Sequence, residues 1–317
     1  MKNFVPEMVL EKVQLGPDGP AVSPLIYGTW RLTDTADASL YSPSAILDRI
    51  KLCLRLGIST FDLADIYGGG HHQCERVFGA GLALEPSLRS QMELITKCDI
   101  QLVCGARPEN AVKHYDTSKA YILKSVNDSL QATGTSYFDV LLLHRPDPLM
   151  NADEVAEAFL ELKRDGLVHY FGVSNFTPSQ IDLLQSRLPF PLVTNQIEAH
   201  VLRLDPFLDG TLDQCQRLRM APMAWSPLAG GSIFKDAPGD ARAAAVRSAL
   251  LKVGKVLNAP IDQVALAWLL KHPSRLLPIL GTNDLKRIES AVDALKLNLT
   301  RQQWFSIWEA SAGRPVP

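Results

Sequence analysis

The chain has 317 residues, 46% of them hydrophobic, with 32 basic and 34 acidic side chains and a formal net charge of −2. This is enough apolar material for a large core, and the near-balanced charge excludes a nucleic-acid footprint or a polybasic membrane anchor. No run of about 20 apolar residues exists to span a bilayer. The opening Met1-Lys2-Asn3-Phe4-Val5-Pro6-Glu7 has no apolar signal core, and the cysteines (Cys53, Cys74, Cys98, Cys104, Cys215) are odd in number and irregularly spaced, which points to reduced thiols in a cytoplasm.

Residues 9–23 read as a hairpin, because Val9-Leu10-Glu11-Lys12-Val13 runs into the dense turn signal Gly16-Pro17-Asp18-Gly19-Pro20. A short strand, Pro24-Leu25-Ile26-Tyr27, follows and leads to Gly28-Thr29-Trp30. The spacing of Ile46, Ile50, Cys53 and Leu54 predicts a helix over 44–56, then a strand over 58–62 and a helix over 73–84. The strand 92–96 ends at Lys97. A helix over 117–132 carries Ile122, Val126 and Leu130 on one face, and the strand 138–143 ends at His144. A helix over 152–164 stops before Gly166, the strand 170–173 ends at Ser174-Asn175, and Pro178 opens a helix to Leu188. Residues 192–195 form a strand that leads to Gln196. A helix near 207–218 precedes the strand 221–224, which ends at Trp225-Ser226. Helices over 240–257 and 261–271, a last strand over 276–280 ending at Gly281-Thr282, and helices over 284–296 and 300–311 complete the chain.

Eight strand–helix units with continuous apolar strands imply a parallel sheet covered on both faces, and eight units in this length fit a closed (β/α)8 TIM barrel. The expected fold is α/β: that barrel, with an N-terminal β-hairpin and extra C-terminal helices. The rival open sheet would show a G-x-G-x-x-G fingerprint after its first strand, and Gly28-Thr29-Trp30 is not one. Pro238-Gly239 reads as a loop, and no linker divides the chain, so residues 1–317 are expected to form one domain.

In such a barrel the C-terminal strand ends share one face, where active sites lie. Four titratable groups fall there: Asp62, Tyr67 on the loop that follows it, Lys97 and His144. Each alone is explained as readily by packing or a structural ion pair. Four at successive ends are not, and a buried lysine in particular is costly without a partner.

The sequence resembles the aldo-keto reductases over nearly its whole length. Phe61-Asp62-Leu63-Ala64-Asp65-Ile66-Tyr67-Gly68 is similar to that family's first signature. Leu141-Leu142-Leu143-His144-Arg145-Pro146-Asp147 and Gly172-Val173-Ser174-Asn175-Phe176 are similar to the next two, and Asn195-Gln196 and Trp225-Ser226-Pro227-Leu228 follow in order. Thr300-Arg301-Gln302-Gln303-Trp304 is similar to the terminal helix of bacterial oxidoreductases of the superfamily. The resemblance implies hydride transfer between a nicotinamide cofactor and a small carbonyl substrate, on a monomer or small homo-oligomer, with no nucleic acid, membrane or metal involved.

The four groups suit that chemistry. Tyr67 is the expected proton donor. A free phenol titrates near ~10, and an adjacent ammonium, Lys97 anchored by Asp62, is expected to lower that value. His144 would orient the carbonyl oxygen. For the cofactor, the resemblance implies Gly28, Thr29, Trp30 and Asp62 at the first strand ends. It implies Ser174, Asn175 and Gln196 on the carboxamide, Trp225 stacked on the nicotinamide, and Ser226, Leu228 and Gly230 along the pyrophosphate. Gly281, Thr282 and Asn283 open a helix whose free N–H groups would favour a phosphate. Arg287 matches a position that contacts the 2′-phosphate, so NADPH is expected over NADH. Trp30, Trp225, Leu228 and Phe234 would wall an apolar pocket.

His71-His72 lacks metal-ligand spacing and reads as a solvent-facing loop, Glu75 as a cap or pairing residue of the helix it begins, and Asp65 as no part of the acid–base set. Two alternatives remain at this stage: a Schiff-base lyase using Lys97, and an NADPH-binding regulatory subunit on the same barrel.

Overall fold

The computed structural model describes residues 9–235 and 239–317. Met1–Glu7 and Pro238 lie outside the described residues. Strands β1 (Val13–Gln14) and β2 (Ala21–Val22) pair antiparallel across the expected turn. Next come β3 (Ile26–Gly28), α1 (Pro43–Arg55), β4 (Thr60–Asp62), α2 (Gln73–Leu82) and β5 (Glu93–Cys98). A small antiparallel excursion, β6 (Ile100–Gln101) with β7 (His114–Tyr115), precedes α3 (Lys119–Thr133). The chain continues through β8 (Phe138–Leu143), α4 (Ala152–Arg164), β9 (Val168–Ser174), α5 (Pro178–Gln185), β10 (Asn195–Glu198) and α6 (Thr211–Arg217). Last come β11 (Met223–Trp225), α7 (Ala241–Leu257), α8 (Ile261–Leu270), β12 (Leu277–Leu280), α9 (Leu285–Val292) and α10 (Arg301–Ala312).

Strands β3, β4, β5, β8, β9, β10, β11 and β12 pair in parallel in that order, and β12 returns to β3 to close the barrel. The fold is a (β/α)8 barrel with an N-terminal hairpin. As expected, two helices, α7 and α8, lie inside the β11–β12 connection, and Arg242 of α7 donates from Nε to the Ser311 carbonyl of α10 at 2.7 Å. The helix expected over 207–218 is broken. A 3-10 turn, Asp205–Phe207, is separated from α6 by Gly210, whose φ of 88° an α-helix cannot contain.

Local chemistry sets the helix boundaries. Ser118, Asn151 and Thr177 accept N–H groups at the starts of α3, α4 and α5, and Thr300 forms a reciprocal capping box with Gln303 at the start of α10. That box presents Trp304 to α8. The Trp304 and Trp268 rings stack at 4.8 Å, and each indole N–H donates to the other's carbonyl, at 3.0 and 3.1 Å.

Alternation of side chains along each strand decides what enters the barrel. Ile26, Ile95, Val140, Leu142, Met223, Leu277 and Ile279 fill its interior, and Leu15 and Val22 of the hairpin region join the same cluster. Their neighbours Tyr27, Phe61, Leu94, Leu141, Leu143, Phe171 and Val173 face outward to the helices. Gly172 faces inward on β9, where an added Cβ would meet the Thr194 carbonyl at 2.7 Å and Leu142 at 2.8 Å. Continuing each inward series toward the strand end gives Asp62, Lys97, His144, Ser174, Gln196 and Trp225.

Candidate active site

Lys97 lies one residue inside β5, which runs on to Cys98, rather than at its end. Its side chain is 0% exposed. The ammonium donates to Asp62 Oδ2, the Leu63 carbonyl and Tyr67 Oη, each at 2.8 Å, so its three protons are all engaged. This pairing offsets a desolvation cost of several kcal/mol. Burial lowers the Lys97 pKa, against the opposing pull of Asp62.

Gln196, inside β10, donates from Nε2 to Asp62 Oδ1 at 2.7 Å. The chain of bonds extends further. Trp225 Nε1 donates to Asn175 Oδ1 at 3.0 Å, Asn175 Nδ2 to Ser174 Oγ at 2.8 Å, and Ser174 Oγ to the Gln196 carbonyl at 2.9 Å. Ser174, Asn175 and Gln196 were expected on the carboxamide. They spend much of their capacity on one another, with Asn175 at a left-handed φ of 61°.

Tyr67 follows Asp62 around a tight turn continued by three glycines, Gly68 to Gly70, all at positive φ. Burial, then the Asp62 carboxylate, pushes the phenol well above its ordinary value. Burial outweighs the lowering that was expected from Lys97. His144 packs edge-on to Tyr67 with ring centroids 5.8 Å apart. Burial, then the charges of Lys97, Arg145 and Lys113, holds the imidazole well below its ordinary pKa, so it is neutral. Its Nδ1 is buried without a partner.

These groups meet at a cavity of about 1100 Å³ whose lining includes Gly28, Trp30, Asp62, Tyr67, His144, Ser174, Asn175, Gln196, Trp225, Ser226, Leu228, Gly230, Phe234, Gly281, Thr282, Asn283 and Arg287. Trp30 is 56% exposed and Phe234 43%, so both stand at the mouth and neither belongs to the core.

Three expected cofactor contacts are placed differently. Thr29 is buried and does not reach the cavity; its hydroxyl donates to the Asp62 carbonyl at 3.0 Å and steadies that strand end. The side-chain amide of Asn283 accepts from Tyr27 Oη at 3.2 Å and donates to the Arg31 carbonyl. The N-terminus of α9 is not open, because Asp284 caps it by accepting the Lys286 and Arg287 N–H groups. Arg287 is exposed at the cavity edge, with Nε 3.6 Å from Asp284.

Sequence reasoning missed four cations that also line the cavity: Arg31, Lys113, Arg145 and Lys235. Arg31 and Arg145 each adjoin a residue already singled out, Trp30 and His144, and reading one position further would have found them.

It also missed a second buried polar cluster, outside the barrel wall. His72 is buried rather than solvent-facing, with Nδ1 2.6 Å from Glu75 Oε2. Glu75 reaches beyond its own helix to accept from Thr96 of β5 and, at 3.0 Å, Ser129 of α3. Asp65 accepts from Tyr121 at 2.9 Å and Ser125 at 3.2 Å, and faces Arg107 at 3.7 Å. Burial, then Glu75, raises the Asp65 pKa to about 6.

The family model described as the aldo/keto reductase family matches residues 24–312. The chain belongs to this family. Proteins similar to it include oxidoreductase YdhF of Escherichia coli, 47% identical over 98% of this chain and 100% of its own length. A protein named 6-dehydroglucose reductase from Agrobacterium fabrum is 45% identical, covering 93% of this chain and 96% of its own. Among solved structures, a thermostable aldo-keto reductase, Tm1743, in complex with the inhibitor epalrestat matches with a TM-score of 0.78 at 25% identity, over 94% of this chain and 99% of that one. Among the described residues no helix is long and apolar enough to cross a membrane.

Proposed function

We propose that this oxidoreductase reduces aldehyde or ketone carbonyls to alcohols with NADPH, and that Tyr67 supplies the proton. The observation that carries the reading is the direction of one hydrogen bond. Lys97 donates to the Tyr67 oxygen, so the phenol's own hydrogen is left to point into the cavity. NADPH, when bound, supplies the hydride.

The remaining steps belong to the chain's side chains. Neutral His144 donates a hydrogen bond that orients the carbonyl and stabilises the charge that develops on its oxygen. Tyr67, protonated at neutral pH, gives its proton to that oxygen, and the phenolate left behind sits 2.8 Å from the Lys97 ammonium. Asp62 keeps Lys97 charged, and Gln196 keeps Asp62 in place. Lys97 does not line the cavity, and its protons are all engaged, which favours carbonyl reduction over a Schiff base on this lysine.

The cavity exceeds the ~300–1,000 Å³ of ordinary ligand pockets, so there is room for a cofactor and a small carbonyl together. Trp225 would stack on the nicotinamide, and the Gln196 Oε1 side remains for the carboxamide. Ser226, Leu228 and Gly230 would follow the pyrophosphate. Gly281, Thr282 and Arg287 lie where the adenosine phosphate would rest. With α9 capped by Asp284, preference for NADPH rests on the Arg287 guanidinium rather than on the helix end.

Tyr67→Phe tests this reading. Turnover of an aldehyde followed by NADPH absorbance is expected to fall by at least ~10²-fold, while NADPH still binds, as read by quenching of tryptophan fluorescence. Unchanged turnover would remove Tyr67 from the chemistry.

A further inference from the structure

The substrate end of the cavity carries positive charge that the reduction just described does not use. Arg145 follows His144 directly and lines the cavity. Its backbone N–H donates to the buried carboxylate of Asp99 at 3.0 Å, which fixes the point from which the side chain departs. Its guanidinium lies 5.5 Å from the centre of the Trp225 ring. Lys113, on the β6–β7 excursion, lines the same cavity. Both stand close enough to His144 to depress its basicity together with Lys97.

Several other charges around the cavity have partners. Asp62 is paired with Lys97, Asp284 with Arg287, and Arg31 donates to the Gly281 carbonyl at 3.0 Å. Among the described residues, no ion pair joins Arg145 or Lys113 to a carboxylate. Two cations flanking a neutral histidine with nothing to balance them are suited to a negative ligand group. The planar guanidinium can grip a carboxylate, sulfonate or phosphate through two parallel hydrogen bonds, and Lys113 adds a mobile point charge. Because Arg145 adjoins the residue that orients the carbonyl, the anionic group must lie only a few bonds from the reacting carbon.

We infer that this reductase selects short carbonyl compounds bearing an anionic group, which Arg145 and Lys113 hold while the carbonyl faces Tyr67 and His144. The inference rests on the carbonyl-reductase reading above.

The test compares kcat/KM with NADPH for succinic semialdehyde and for butanal, which share a four-carbon chain and differ in the carboxylate. Wild type is expected to prefer the semialdehyde by at least tenfold. In Arg145→Gln that ratio falls about tenfold, since each 1.4 kcal/mol is a factor of ten, and it falls further in the Arg145→Gln/Lys113→Gln double variant, while Arg145→Lys restores part of it. Independently of any variant, KM for the semialdehyde should rise with added NaCl while that for butanal stays flat. A wild-type enzyme that reduces both aldehydes equally, or a ratio unmoved by the substitutions and by salt, overturns the proposal and leaves carbonyl reduction standing. Reduction of neither aldehyde overturns the underlying reading, and the proposal with it.

Discussion

Two buried carboxylates three residues apart, Asp62 and Asp65, end up in opposite situations. Asp62 faces into the barrel, where Lys97 and Gln196 hold it and the cavity reaches it. Asp65 faces the helices, where Tyr121, Ser125 and Arg107 hold it, and it does not line the active-site cavity. Both belong to polar clusters that contain a histidine and hydroxyl groups. What separates them is not burial or an unusual pKa but access: the inner cluster presents an unspent phenol hydrogen to open space, and the outer one is closed on itself. A buried charged network therefore marks a reacting centre only where a ligand can touch it.

Removing the inner cation should break this comparison most severely. Lys97→Met leaves Asp62 buried with Gln196 alone, so turnover is expected to fall by ~10³-fold, and urea unfolding should show a loss of about 3 kcal/mol or more. Intact turnover in this variant would mean that the inner cluster is as structural as the outer one.

Asp65 gives the next largest effect, and it depends on pH. Its folded carboxyl holds a proton up to about pH 6, against 3.8 ordinarily. The folded chain therefore binds more proton than the unfolded chain between those values, and the stability this group contributes is lost as pH rises through 6. Relative to Asp65→Asn, wild type is expected to lose up to about 3 kcal/mol between pH 4 and pH 6.5; parallel stability–pH curves would contradict the assignment.

Glu75→Gln should sharpen the contrast. It is expected to cost about 1–3 kcal/mol in unfolding free energy through the bonds to His72, Thr96 and Ser129, with saturating turnover within a few-fold of wild type. The smallest effect is at the cavity rim. Arg287→Ala is expected to weaken NADPH binding about tenfold, ~1.4 kcal/mol, and NADH binding hardly at all, measured by fluorescence titration of both cofactors. Equal weakening would remove the 2′-phosphate contact.

The sequence made the barrel legible because alternation of apolar runs and helical spacing is a local signal, repeated eight times. The inward-facing polar residues were legible for the same reason, each lying where an apolar strand stops. Other features depended on partners distant in sequence. Nothing near Gln196 indicates that its amide turns to Asp62, 134 positions away. His72 was read as solvent-facing because it lies in a loop leading into a helix without metal-ligand spacing, whereas it is buried with Nδ1 3.2 Å from Ser129 Oγ of α3. The α9 end was read as an open anion site because the rule counts free N–H groups, and Asp284 occupies them with its own carboxylate. The phenol's pKa was misjudged because its own burial, the largest cause of the rise, comes from packing that the local sequence does not show.

The hydrogen-bonded chain from Trp225 to Tyr67 passes through β11, the β9 end, β10, β4 and β5 before it reaches the tyrosine loop. It links five of the eight barrel strands, and apart from the Asn175–Ser174 bond each of its links joins different strand–helix units. The proposed reacting centre is thus expected to form late in folding, when long-range pairings close the ring. On refolding from urea, helical circular dichroism should return before aldehyde-reducing activity does, and a fragment ending before β10 should acquire helix without ever gaining the constellation.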